Sequence, residues 1–145
     1  MMFRPLNHRV YASPQIGVEA IGEAKALGVG LIVNNRPEGE ADDQTPGAAI
    51  EAAARAAGIE YVAIPVTHAG FSEKQVTAMR NALDRAGHGS VLAYCRSGTR
   101  STLLWALAEA SDGAEPGRLG AQAAAAGYDL APIAGLLEML AQRAR

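Results

Sequence analysis

The stretch Cys95-Arg96-Ser97-Gly98-Thr99-Arg100-Ser101 places a thiol between two guanidinium groups and a glycine, directly after the apolar run Val91-Leu92-Ala93-Tyr94. A buried strand that delivers a cysteine to a short polar turn, which then opens a helix, makes a cradle for an anion. Successive N–H groups turn inward, Gly98 permits a backbone angle or close approach that a side chain blocks, and the helix N-terminus adds positive potential. The same features favour a thiolate, which makes Cys95 the candidate nucleophile. Arg100 is expected to hold the anion, and Ser101 to donate a hydrogen bond to the sulfur. Arg96 is placed at the mouth, with Ser97, Gly98 and Thr99 contributing backbone donors. A lone cysteine after a strand is ordinarily an inert small hydrophobe. Two arginines flanking a glycine between strand and helix have little structural purpose, and that shifts the reading to function.

Short apolar runs alternate with Ala-rich stretches of helical spacing, which predicts an α/β fold with a largely parallel sheet. Strands are predicted over Arg9–Ala12, Leu31–Asn34, Glu60–Ile64 and Ser90–Tyr94, the last central and covered on both faces. The first helix is predicted to start between Ser13 and Gly17 and to stop at Gly28. The second is predicted to run from Thr45-Pro46, with Thr45 as N-cap, to Gly58. Ser72-Glu73-Lys74-Gln75 has the form of a capping box, and Val76, Met79 and Leu83 keep one face apolar as far as Gly87. A fourth helix leaves the cysteine loop and buries Leu103, Leu104 and Leu107, with Trp105 read as core. Leu119–Ala126 and Ile133–Gln142 complete the C-terminal layer, Ser111–Gly117 is read as a flexible connection, and Arg143 and Arg145 complement the last helix dipole. The polar segment Asn34–Gly47 follows a strand at the edge where α/β sheets carry their ligand crevices, so it is expected to border the site.

With 145 residues the chain can form one domain that buries about 70 % of its unfolded surface. A hydrophobic share of 49 % excludes a disordered tail, and a formal net charge of −2 gives no electrostatic reason to expect nucleic acid. The single cysteine cannot form an internal disulfide, no zinc-type cluster is apparent, and neither metal nor organic cofactor is implied. Met1 to Val10 lacks the apolar stretch of a secretory signal and no run is long enough to span a bilayer, so a cytoplasmic protein without membrane contact is expected.

Cys95-Arg96-Ser97-Gly98-Thr99-Arg100 resembles the active-site loop of rhodanese sulfurtransferases. With one residue missing, it is also similar to that of protein tyrosine phosphatases. Together with Ile32-Val33-Asn34-Asn35-Arg36-Pro37-Glu38-Gly39-Glu40 and Ile64-Pro65-Val66-Thr67, the chain resembles, over roughly residues 3 to 110, the phosphatase-like domain of bacterial beta-lactamase-hydrolase-like proteins. The resemblance implies a tyrosine-phosphatase-like fold, a mostly parallel sheet of four or five strands flanked by helices, and either sulfur transfer or phosphatase activity. Tyr94 departs from the pattern, since many tyrosine phosphatases carry histidine before the cysteine.

Loop length bears on which chemistry is expected. If the loop were a flat ring with a Cα step of about 3.8 Å, removing one residue from seven would shrink its radius by about 0.6 Å. Useful N–H···O distances span only about 0.5 Å, so the smaller ring favours the terminal sulfur of a persulfide over a phosphoryl group. A phosphatase also needs a general acid, and Pro65–Glu73 holds only His68 and Glu73. Glu73 reads as a helix first-turn residue, Asp42 and Asp43 as a solvated turn, and His68 as the remaining candidate. Arg36 is a second anion-binding candidate, set against a surface pairing with Glu38 or Glu40. The sequence therefore favours a sulfurtransferase that takes sulfur from a small anionic donor as a Cys95 persulfide and passes it to an external thiol acceptor. A phosphatase acting on a phosphate ester through a phosphocysteine is the alternative enzyme. A non-catalytic anion-binding or persulfide-sensing module is the third reading.

Overall fold

The computed structural model describes residues 2–144, so the expectation for Arg145 lies outside the described residues. Five strands form one sheet in the order β1-β2-β5-β3-β4: β1 (Arg4–Pro5), β2 (Val10–Ser13), β3 (Val29–Asn34), β4 (Glu60–Ala63) and β5 (Ser90–Tyr94). All neighbours are parallel except β1, a two-residue edge strand antiparallel to β2 that the sequence reading did not find. Helices α1 (Ile21–Ala26), α2 (Gly47–Ala56) and α3 (Glu73–Arg85) connect the parallel strands, and α4 (Thr99–Ser111), α5 (Pro116–Ala125) and α6 (Ala134–Ala144) follow β5.

Strand periodicity sorts the core into two layers. Leu31, Val33, Val91 and Ala93 face one side and pack with α3 to α6, where Met79, Leu104, Leu107, Leu119 and Leu137 are buried. Ile32, Leu92 and Tyr94 face the other side, against Ile21 and Ala24 of α1 and Ile50 and Ala54 of α2. β5 lies at the centre of the sheet, between β2 and β3. Helix α4 is buried almost all round, because the sheet covers one side while α3, α5 and α6 pack against the others. Trp105 is accordingly core.

Several boundaries differ from expectation for local reasons. The first helix begins only after a 3-10 turn over Val18–Ala20, because the chain beyond β2 continues extended to the cysteine loop, where the Gln15 amide donates to the Arg96 carbonyl at 3.2 Å. The N-cap of α2 is Pro46 and not Thr45, and the Gly47 amide donates instead to Glu38 Oε1 at 2.8 Å. The Ser72 capping box forms as read, with Gln75 N–H on Ser72 Oγ and Ser72 N–H on Gln75 Oε1. The connection read as Ser111–Gly117 shrinks to residues 112–115, tied back by the Ala114 amide on the Glu109 carbonyl at 2.9 Å. The last helix extends to Ala144, and Arg143 in its last turn stands 3.7 Å from Glu73, the first residue of α3. Among the described residues no helix is long and apolar enough to cross a membrane.

Candidate active site

Strand β5 ends at Tyr94 and α4 begins at Thr99, so only Cys95 to Gly98 separate them, and Arg100 and Ser101 already lie in the first turn of the helix. Gly98 is the N-cap at φ +91°, and a Cβ there would overlap the Tyr128 hydroxyl. Both the positive φ and this close approach require glycine. The loop is therefore not the flat ring on which the preference for sulfur rested. It turns through a left-handed residue directly into the helix, and the radius comparison does not describe it.

Three successive carbonyls of the loop are held from outside. The Gln15 amide donates to Arg96 C=O at 3.2 Å, the Tyr128 hydroxyl to Ser97 C=O at 3.2 Å, and the Thr102 amide and hydroxyl to Gly98 C=O at 3.0 and 2.8 Å. In a trans peptide the N–H points away from the C=O. The Gly98 N–H accordingly reaches Cys95 Sγ at 3.1 Å. Among the described residues, the Arg96, Ser97, Arg100 and Ser101 amides meet no partner, as expected for a helix start that receives an anion. Cys95 itself is 0 % exposed, so the sulfur is sealed in this form while the donors of its loop remain largely uncommitted.

Arg100 is the best-defined element of the site. Its Nη1 donates to Glu40 Oε2 and to the Val66 carbonyl, both at 2.7 Å, and its Nη2 donates to Glu40 Oε1 at 2.8 Å. A guanidinium has five N–H bonds. These contacts use both on Nη1 and one on Nη2, which leaves Nε–H and the second Nη2–H, an adjacent pair with the spacing of two phosphoryl oxygens. The hydrogen bonds that Arg100 donates to Glu40 raise its pKa above the ordinary value, and the nearby Cys95 adds to this.

Arg36 is not the exposed residue that a surface pairing requires. It is only 5 % exposed, with Nε on Glu40 Oε1 at 3.0 Å and Nη1 on Gln15 Oε1 at 3.0 Å. Glu40 thus sits between two guanidinium groups. The Arg100 hydrogen bonds hold its carboxyl down at about 2 against partial burial, and Arg36 lowers it further. The unfolded chain protonates this carboxyl near 4.5 and the folded chain only near 2, so the pairing contributes fully above pH 4.5 and is lost as pH falls towards 2. Glu40→Gln is therefore expected to lower the urea midpoint at neutral pH, with the gap to wild type closing as pH drops through that window. A gap independent of pH would rule out the ion pair as its cause.

Ser101 does not serve the sulfur. Its hydroxyl donates to Asn35 Oδ1 at 2.7 Å in a buried contact. Asn35 also donates from Nδ2 to the Ile64 carbonyl at 2.9 Å and from its amide to the Tyr94 carbonyl at 2.8 Å, joining the ends of β3, β4 and β5 behind the loop. Arg96 and Thr99 are exposed, and the Ser97 hydroxyl lies 3.0 Å from Thr99 Oγ1. His68 is exposed on the turn two residues past Val66, the residue whose carbonyl Arg100 holds. Asp42 and Asp43 are exposed as read. The segment Asn34–Gly47 does border the site, through Glu40. Sequence reasoning missed Glu40 as a site residue, and also Gln15, Asn35 and Tyr128. No local pattern marks Tyr128; for Glu40, the four-residue spacing to Arg36 within a polar loop was the available signal. Among the described residues no three His, Cys, Asp or Glu side chains converge as a metal site.

With its central parallel strand leading through a cysteine loop into a helix that presents an arginine, the chain has a fold of the tyrosine-phosphatase-like α/β class. Tk-PTP in its active form shares this fold, with a TM-score of 0.76 over 98 % of this chain and 97 % of its own at 16 % identity. Within that class, the chain belongs to the family described as the phosphatase-like domain of beta-lactamase hydrolase-like proteins, whose model matches residues 2–112. The beta-lactamase hydrolase-like protein of Xylella fastidiosa is 37 % identical over 108 residues, which is 74 % of this chain and 25 % of that protein. The chain thus spans about a quarter of the length of the curated relatives it matches. A candidate phosphatase from Neisseria meningitidis aligns at 31 % identity and TM-score 0.81, covering 97 % of this chain and 99 % of its own. These likenesses favour the phosphatase alternative over sulfur transfer, and the rhodanese-like character of the loop gains no support from them.

Proposed function

We propose that this chain is a cysteine-dependent phosphatase acting on phosphate monoesters. The observation that carries the reading is the donor arrangement of Arg100: Glu40 and Val66 hold its far end and leave an adjacent pair of N–H bonds beside a loop whose Gly98 amide is on the Cys95 sulfur. The Cys95 thiolate attacks phosphorus, an S–P bond forms and the P–O ester bond breaks. The departing oxygen takes a proton from His68. Water then cleaves the S–P bond, releasing inorganic phosphate and restoring the thiolate. Arg100 and the free loop amides bind the equatorial oxygens as their charge develops, and Arg96 at the mouth attracts the dianion. The substrate partner is therefore a phosphate ester, and the acceptor is water rather than an external thiol.

The test is to quench the protein during turnover of an aryl phosphate and, separately, after exposure to thiosulfate, and to weigh the Cys95-containing peptide. A phosphoryl adduct with steady phosphate release is expected. A sulfur adduct passed on to cyanide or a thiol, without phosphate release, would return the sulfur-transfer reading. His68→Asn is expected to lower kcat by about 10²-fold for an alkyl phosphate, whose leaving group needs a proton, and much less for a nitrophenyl phosphate. Equal losses on both substrates would remove His68 as the acid.

A further inference from the structure

Tyr128 lies between α5 and α6, beyond the residues matched by the family model, yet it touches the nucleophile loop. Local contacts fix its position. Gly127, at φ +92°, closes α5, the Tyr128 amide donates to the Ala123 carbonyl at 2.9 Å, and the Arg4 guanidinium lies 5.4 Å from the ring centroid while donating to the Ala126 carbonyl at 3.3 Å. The side chain is nearly buried and belongs to the same core cluster as α4. Burial raises its hydroxyl above the ordinary tyrosine value, Arg4 opposes this, and Cys95 adds to it.

The Tyr128 hydroxyl donates to Ser97 C=O at 3.2 Å, and the N–H of that same peptide unit, belonging to Gly98, donates to Cys95 Sγ at 3.1 Å. The two contacts lie at opposite ends of one rigid plane. Glycine at position 98 is the residue most able to let such a plane rotate, since no Cβ restrains its φ. A rotation would carry the N–H off the sulfur and turn a carbonyl oxygen towards an anionic site. We propose that Tyr128 is a positioning residue that locks the Ser97–Gly98 peptide and so keeps the Gly98 amide on the nucleophile. The kinetic part of its test rests on the phosphatase reading; the amide part does not.

The variants are Tyr128→Phe, which removes only the hydroxyl, and Arg4→Gln, which removes the stacked cation and keeps it. In Tyr128→Phe, kcat for an aryl phosphate is expected to fall about tenfold with KM within twofold, the scale of one lost hydrogen bond. Hydrogen exchange at the Gly98 amide is expected to speed up about tenfold while the mid-helix amide of Ala106 is unchanged. Arg4→Gln is expected to stay within twofold of wild type in kcat, KM and the exchange of both amides. Unchanged Gly98 exchange in Tyr128→Phe, or an equal effect from Arg4→Gln, would overturn the proposal. If wild type releases no phosphate, the phosphatase reading fails, and the exchange measurement still decides the role of Tyr128.

Discussion

Cys95→Ser is expected to lower phosphate release from an aryl monoester by at least about 10³-fold, to the background of the assay. The replacement is nearly isosteric at a fully buried position, and a hydroxyl can still accept the Gly98 hydrogen bond, so the fold and the loop are retained. What is lost is the nucleophile: an alcohol is hardly ionised at neutral pH, and among the described residues the hydrogen bond at Cys95 Sγ comes from the Gly98 amide, which cannot take a proton. The chain has one cysteine, so no second thiol can substitute. Phosphate release, checked together with the loss of the trapped phosphoryl adduct, reads this directly. A variant retaining a tenth of the wild-type rate would remove Cys95 from the mechanism.

Arg100→Lys comes next, with an expected loss of about 10² to 10³ in kcat/KM. Arg100 does two things at once, gripping Glu40 and the Val66 carbonyl with one end and offering two N–H bonds with its side. A lysine ammonium has three N–H bonds on one atom and cannot divide them between such separated partners. If it follows Glu40, the phosphoryl group loses its bidentate clamp. If it follows the substrate, the Glu40 carboxylate is left with Arg36 alone, close to a developing negative charge. Steady-state kinetics, with the urea midpoint as a check on folding, distinguishes this from a stability effect. Near-wild-type kcat/KM in Arg100→Lys would show that a point charge suffices and that the donor arrangement does not matter.

The parts of the molecule written in local pattern were legible from sequence. Val91 to Tyr94 is apolar without interruption because β5 is central, Ser72 and Gln75 form the capping box their spacing announces, and Cys95 to Arg100 stands between strand and helix. The contacts that join distant segments were not legible. Glu40 and Arg100 are sixty positions apart, Ser101 and Asn35 sixty-six, and Tyr128 and Ser97 thirty-one. Each is a side-chain contact that exists only once the strand order is known, and a two-residue edge strand such as β1 leaves no periodicity to read. Ser101 illustrates the cost. Its distance along the chain from Cys95 is compatible with a bond to the sulfur, and only the position of Asn35 shows that the hydroxyl points elsewhere. Loop size misleads in a related way, because counting residues assumes a planar closure that the left-handed Gly98 does not follow.

Helix α4 has a wider meaning for where the family match ends. The family model matches residues 2–112, but the side of α4 turned away from the sheet is roofed by Leu119 and Ala123 of α5 and by Leu137 and Ala141 of α6. The border of the family match and the border of the packed body therefore differ here, and the Neisseria meningitidis structure, aligned over 97 % of this chain, follows the packed body. The stretch that the family match covers is shorter than the body whose side chains share one core.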